Sequence, residues 1–136
     1  MSKNWKFVKE KDQTFEKALG RDHYWHYHPD GAENTESYMV KVVVPEGDGH
    51  DFHRHPKMHE ILYILKGQAE QWIEDEMQIL EVGGSVYIDA DVGHATFNAG
   101  KGELEFLAIL SPPNGWEAGT LDVSKEEPYI NYRIKK

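Results

Sequence analysis

The sequence predicts an all-β fold, a sandwich or barrel of short strands, on three observations. From residue 23 onward short runs rich in Val, Ile, Tyr, Phe and Trp recur, and clusters of Gly, Pro, Asn and Asp separate them. No segment keeps a 3.6-residue apolar period over the length of a helix. The chain has 136 residues, enough for one domain with a real core and no disulfides.

Taken in order, residues 1–20 are charged and loosely patterned. Thr14 as an N-cap, Phe15, Ala18 and Leu19 on one side and Gly20 as a stop predict one short helix. Strands are then expected over 23–28, 37–44, 51–55, 60–66, 68–74, 85–88, 94–98 and 103–110. Turn signals divide them at Pro29-Asp30-Gly31, Pro45-Glu46-Gly47, Gly67, Gly83-Gly84 and Gly100-Lys101-Gly102. In the run from Tyr24 to His28, alternation puts Tyr24, His26 and His28 on one face and Trp25 and Tyr27 on the other, which reads as an aromatic edge strand. Runs such as Ile61–Leu65 are apolar on both faces, and together with that edge strand they predict a homodimer. The more polar end of the chain still carries Trp116, Tyr129, Ile130 and Tyr132 and is expected to fold back on the body.

Charge and composition exclude whole classes of function. Lys and Arg number 15 against 24 Asp and Glu, a net charge of −9 that repels phosphate backbones and anionic lipid, so neither nucleic acid nor membrane is an expected partner. The absence of cysteine removes thiolate zinc sites and thiol nucleophiles, leaving nitrogen and oxygen as metal ligands. The longest apolar runs, Ile61–Leu65 and Phe106–Leu110, are too short to span a bilayer, and Met1-Ser2-Lys3-Asn4 does not lead into a signal sequence, so a cytoplasmic protein is expected.

Four of the eight histidines, His50, His53, His55 and His59, crowd into one short stretch beside Glu60. His53 and His55 are two apart in an extended segment, so both imidazoles point from the same face. Pro56 ends that strand, and Glu60 opens the next on a face shared with Leu62 and Ile64. Downstream, His94 heads a strand in which Thr96 and Asn98 share its face. Three imidazoles and a carboxylate suit a divalent first-row metal, with about two of six octahedral positions open for substrate or oxygen. His50 and His59 read as loop positions outside this set. The sequence does not choose among iron, manganese, nickel, copper and zinc.

This spacing resembles the cupin superfamily. Gly47, His53, His55, Glu60 and Gly67 fall at every position of its first motif; Gly83, His94 and Asn98 match its second, although Asp89 and Asp91 stand where proline and glycine are usual. The resemblance implies a double-stranded β-helix, a jelly-roll barrel, over residues 37–110. It leaves 1–36 as an N-terminal extension, with the short helix and the aromatic strand, and 111–136 as a C-terminal extension of the same domain. It also implies that His53, His55, Glu60 and His94 are the metal ligands.

Such a scaffold hosts dioxygenases, sugar isomerases, decarboxylases, storage proteins and sensory domains, so the reaction has to be read from the pocket. Leu62, Ile64, Gln71, Thr96 and Asn98 are its expected lining. Three His and one Glu among apolar strands resemble the sites of dioxygenases acting on small oxygen-chelating substrates, with Glu60 a second time as catalytic proton acceptor. A sugar isomerase or epimerase is an alternative, but Arg54 alternates away from the ligands and Lys41 away from Val40, Val42 and Val44, which disfavours phosphosugars. A non-catalytic module binding a metal or small ligand is the third reading.

Overall fold

A computed structural model describes residues 5–18, 20–27, 36–112 and 119–133; Leu19, His28, the Pro29-Asp30-Gly31 turn and Trp116 lie outside the described residues. Among the described residues eleven strands follow one another: β1 (Thr14–Ala18), β2 (Arg21–Tyr27), β3 (Tyr38–Val44), β4 (Gly49–Arg54), β5 (His59–Lys66), β6 (Ala69–Ile73), β7 (Glu76–Leu80), β8 (Ser85–Ile88), β9 (His94–Asn98), β10 (Leu104–Ser111) and β11 (Leu121–Asp122). They form two antiparallel sheets. One has six strands in the order β1-β2-β3-β10-β5-β8, the other five in the order β11-β4-β9-β6-β7. This is the jelly roll that the sequence predicts.

Among the described residues the expected N-terminal helix is absent. Thr14–Ala18 is a strand, preceded by a 3-10 turn at Glu10–Asp12. A helix of five residues cannot offset the cost of its own nucleation, whereas the same residues pair along their whole length with β2, from Thr14 opposite Trp25 to Ala18 opposite Arg21. The Trp25 indole N–H donates to Glu16 Oε1 (3.1 Å), and the rings of Phe15 and Tyr24 lie 5.3 Å apart. Gly20, with φ +79°, turns this hairpin rather than stopping a helix. Strands β7 and β11 have no counterpart in the sequence reading. Glu76–Leu80 is almost wholly exposed, and its alternating apolar residues, Met77 and Ile79, are left facing outward; it becomes a strand because Glu74 and Asp75 reverse the chain against β6.

The core between the sheets comes mostly from the six-stranded one. Val40, Val42 and Val44 of β3, Leu62 and Ile64 of β5, Leu104, Phe106, Ala108 and Leu110 of β10, Ile88 of β8 and Trp25 of β2 are all buried. The inner face of the five-stranded sheet is different, because beside Ala69 its buried inward residues are the polar His53, Gln71, His94 and Thr96. The alternate residues of those strands face outward and carry an apolar cluster of their own. Phe52, Ala95 and Val123 form its buried centre, with Trp72, Phe97, Tyr129 and Tyr132 packed around it. Val123 and the two tyrosines belong to the 119–133 segment, which covers this sheet from outside.

Strands β4 and β9 must approach closely to bring their histidines together, and Gly49 permits it. A Cβ at that position would lie 2.5 Å from the Phe97 ring and 2.7 Å from the Thr96 carbonyl oxygen. Gly49→Ala should therefore destabilise the protein by about 1–3 kcal/mol through backbone displacement. Thermal unfolding checks this, and an unchanged midpoint contradicts the close approach.

Candidate metal centre

Three strands and the residue that follows β4 bring the candidate ligands together. His53 lies in β4 opposite His94 of β9. His55 follows the end of β4, and Glu60 is the first inward residue of β5, where burial alternates along Glu60, Leu62 and Ile64. One ligand atom from each of His53, His55, Glu60 and His94 lies within 4.8 Å of all the others, so this set can hold a metal ion.

The hydrogen bonds behind the rings decide which nitrogen of each faces the centre. The Nδ1–H of His53 donates to the Asp51 carbonyl (2.7 Å) and that of His94 to the Val92 carbonyl (3.0 Å). A carbonyl only accepts, so Nδ1 carries the proton and Nε2 keeps a lone pair. His55 Nδ1 instead meets the Thr120 hydroxyl at 3.0 Å. Glu60 Oε1 sits 3.2 Å from both His55 Nε2 and His94 Nε2. Yet Glu60 Oε1 and His94 Nε2 are buried atoms without a hydrogen-bond partner among the described residues. Two acceptors aimed at each other are reconciled by a proton or a cation between them, which is the fit expected of residues built for a divalent metal.

Electrostatics agree with that geometry. Burial alone would raise the Glu60 carboxyl, but the His55 and His94 rings hold it well below the usual carboxylate range. Burial works against protonating His94 as well, and there the carboxylate of Glu60 outweighs it and lifts the imidazole above its ordinary value. His53 is pushed well below that value by burial and then by the neighbouring His94.

These ligands stand in the wall of a cavity of about 140 Å³. Its lining is largely apolar, with Trp25, Val40, Val42, Val44, Leu62 and Phe106, and Thr96 and Arg21 add polar groups. Of the residues expected to line the pocket, Leu62 and Thr96 do so. Ile64 is buried in the core, Gln71 stands behind Thr96 and accepts its hydroxyl proton (2.7 Å), and Asn98 ties loops together by donating to the carbonyls of Val44 and Gly102. Arg54 points away and donates to Asp91 (3.2 Å). Asp91 has φ +69°, the left-handed backbone that glycine meets more easily, and aspartate is among the few other residues that tolerate it.

His50 departs from the sequence reading. It lies within β4, lines the cavity and stacks on His53 with ring centroids 3.5 Å apart. Strict alternation would turn residues 50 and 53 to opposite faces; a register shift between them in the β4–β9 pairing turns both inward. Arg21 and His23 also line the cavity from β2, a strand read only for its aromatic residues.

The model of the Cupin domain family matches residues 40–110. The chain belongs to the cupin family. An uncharacterized protein of Methanocaldococcus jannaschii is 28% identical to this cupin over 90 residues, which are 66% of this chain and 72% of the relative. Several further curated relatives are spanned over 18% to 64% of their length. Among solved structures, KdgF from a Halomonas species superposes with a TM-score of 0.68 at 17% identity, covering 79% of this cupin and 94% of KdgF. A predicted oxalate decarboxylase from Thermotoga maritima superposes with a TM-score of 0.67 at 22% identity, covering 79% and 99%.

The centre sets a pH dependence for the metal-free protein. His50, pushed down to about 3 by burial and then by Arg21, and His53 stay neutral in the fold but charge near pH 6.5 when unfolded, and ionised Glu60 has the same sign. Each contributes stability present above its unfolded value and lost as the pH falls. His94, raised, has the opposite sign: its contribution is present at low pH and fades as the pH rises through its folded value. The unfolding midpoint of metal-free protein should drop as the pH falls from about 6.5 toward 3, less steeply in His50→Gln. A flat profile contradicts the buried, neutral imidazoles.

Proposed function

We propose that this cupin is a metal-dependent oxidoreductase of the dioxygenase kind, acting on a small, partly apolar molecule that chelates through oxygen. The observation that carries the reading is the convergence of three imidazoles and one carboxylate on a cavity otherwise walled by Val, Leu, Phe and Trp side chains. His53, His55, Glu60 and His94 would hold the ion. When bound, it would supply Lewis acidity toward an enol, catechol or hydroxy-keto oxygen and an open position for dioxygen.

The chain's own residues do the rest. His53 and His94 present Nε2 lone pairs because the Asp51 and Val92 carbonyls hold their Nδ1 protons. Glu60 is enclosed and ionised; the His55 and His94 rings that keep its carboxyl low in the metal-free fold make it a weak base there, and it would accept the proton of a chelating hydroxyl only once those rings turn to an ion instead. Arg21, buried, with its guanidinium donating to the Gly49 carbonyl (3.0 Å), adds positive charge to the wall and favours the deprotonated substrate. The valines, Leu62 and Phe106 exclude bulk water. An apolar cavity of about 150 Å³ takes a molecule the size of benzene. A catechol or a 1,3-diketone therefore fits within, whereas a flavonol would project from the mouth. The likeness to a predicted oxalate decarboxylase supports a second reading, oxygen-independent chemistry on an equally small chelator such as a dicarboxylate.

Purified protein supplied in turn with iron, manganese, nickel, copper and zinc, and screened against catechols, 1,3-diketones, flavonols, keto-sugars and oxalate, distinguishes these readings. The dioxygenase reading expects oxygen uptake with at least one metal. It also expects metal-replete Glu60→Gln to lose turnover by about 10²–10⁴-fold, more than it loses substrate affinity. Conversion without oxygen uptake moves the assignment to the decarboxylase or isomerase side, and ligand recovered unchanged with every metal ends the enzyme reading. Full metal content in His53→Ala rejects the ligand set.

We also propose a homodimer. The outward residues Ile61, Tyr63 and Leu65 of β5 and Tyr87 of β8 are more than one-third exposed, and Ile61 and Tyr87 are paired across the strands. A second copy on this face would cover them. Light scattering should give about twice the chain mass of 15.7 kDa, and a value equal to one chain overturns the dimer.

A further inference from the structure

Of the three rings at the centre, two are backed by carbonyls and one by a hydroxyl. The difference is chemical. The carbonyls of Asp51 and Val92 only accept, which locks His53 and His94 into the form with the proton on Nδ1. The Thr120 hydroxyl, 3.0 Å from His55 Nδ1, can either donate or accept. His55 Nε2 is at the same time 3.2 Å from Glu60 Oε1.

Two arrangements satisfy this geometry. In one, His55 carries its proton on Nε2, which faces the Glu60 carboxylate at ion-pair distance, and the Thr120 O–H donates to Nδ1. In the other, Nε2 offers its lone pair to an ion and Nδ1–H donates to Thr120 Oγ1. We propose that Thr120 is the positioning residue that lets His55 exchange one arrangement for the other, so that the metal-free centre becomes a coordinating one. The proton on Nε2 passes to solvent, Nδ1 takes one from solvent, the ring stays neutral, and the hydroxyl turns about its own Cβ–Oγ bond.

Thr120 is held in place for this role although it stands exposed at the cavity mouth. Leu121 and Asp122 pair with Arg54 and His53, and the Val123 N–H donates to the Phe52 carbonyl (3.0 Å). Farther along, the Tyr129 hydroxyl donates to Glu74 Oε2 (2.9 Å), which also accepts the Gly93 N–H beside His94 (2.8 Å). Glu74 adopts φ +51°, an unfavourable backbone for a residue with a side chain, and this pair of donors fixes it there. The 119–133 segment thus reaches one ligand through Thr120 and is anchored next to another.

The inference rests on the metal-centre reading, and zinc tests both. At about pH 8, above the ordinary imidazole range, nitrogen-15 NMR of the rings should find His55 protonated on Nε2 without zinc and on Nδ1 with it. His53 and His94 should stay protonated on Nδ1 in both states. Thr120→Val should weaken zinc binding by about 10- to 100-fold in a chelator competition while the metal-free protein still folds, and Thr120→Ser should restore wild-type affinity. An unaltered His55 form on zinc binding, or a Thr120→Val protein that binds zinc as the wild type does, overturns the role of Thr120 alone. Wild-type protein that takes up no zinc overturns the metal centre and this inference together. Should Thr120→Val fail to fold, the wild-type ring spectra still decide.

Discussion

A carboxylate enclosed in a β-barrel has to be neutralised, and much of this molecule is arranged around doing that for Glu60. Its place as the first inward residue of β5, the approach of β4 to β9 and the position of His55 just after β4 together bring imidazole nitrogens to one oxygen. Taken without its partners, the buried charge would cost several kcal/mol. With them it becomes an electrostatic trap whose depth depends on what sits at the centre, a shared proton or a divalent ion. The surrounding carbonyls of Asp51 and Val92 are part of the same arrangement, because they decide which nitrogen of each ring is free.

The sequence displayed the part of the site that local periodicity encodes. His53, His55 and Glu60 are separated by an alternating strand, a proline and a short loop, and His94 heads its own strand, so their facing follows from parity. His50 was not legible because its facing depends on a register shift in pairing with residues more than forty positions away. Thr120 and Arg21 were hidden for a related reason: neither carries a local signal, and each reaches the cavity only through tertiary pairing of a terminal segment. The polar inner face of β6 and β9 misled in the other direction. Gln71 and Asn98 share a face with site residues, yet their side chains are committed to internal hydrogen bonds.

At fold level, the strands with β-branched or aromatic alternation were legible, and the elements that failed were those lacking an intrinsic preference. Residues 14–18 carry a plausible helical cap and a glycine stop, but five residues have little local free energy to set against a full ladder with β2. Residues 76–80 carry only the brief alternation of Met77 and Ile79 and are a strand because the turn before them lays them against β6. In both cases the missing information lies in the neighbouring strand.

Around the site the five-stranded sheet is amphipathic in the reverse sense, polar toward the barrel interior and aromatic toward the 119–133 segment. The face that holds its strands together is therefore not the face that meets a ligand. Inner positions can change under selection for a new substrate while Phe52, Trp72, Ala95 and Val123 go on supplying cohesion behind them, with less of the usual trade between activity and stability. The same division loosens the tie between ancestry and chemistry: a scaffold whose cohesion sits outside its reaction chamber can diversify that chamber residue by residue without passing through unfolded intermediates.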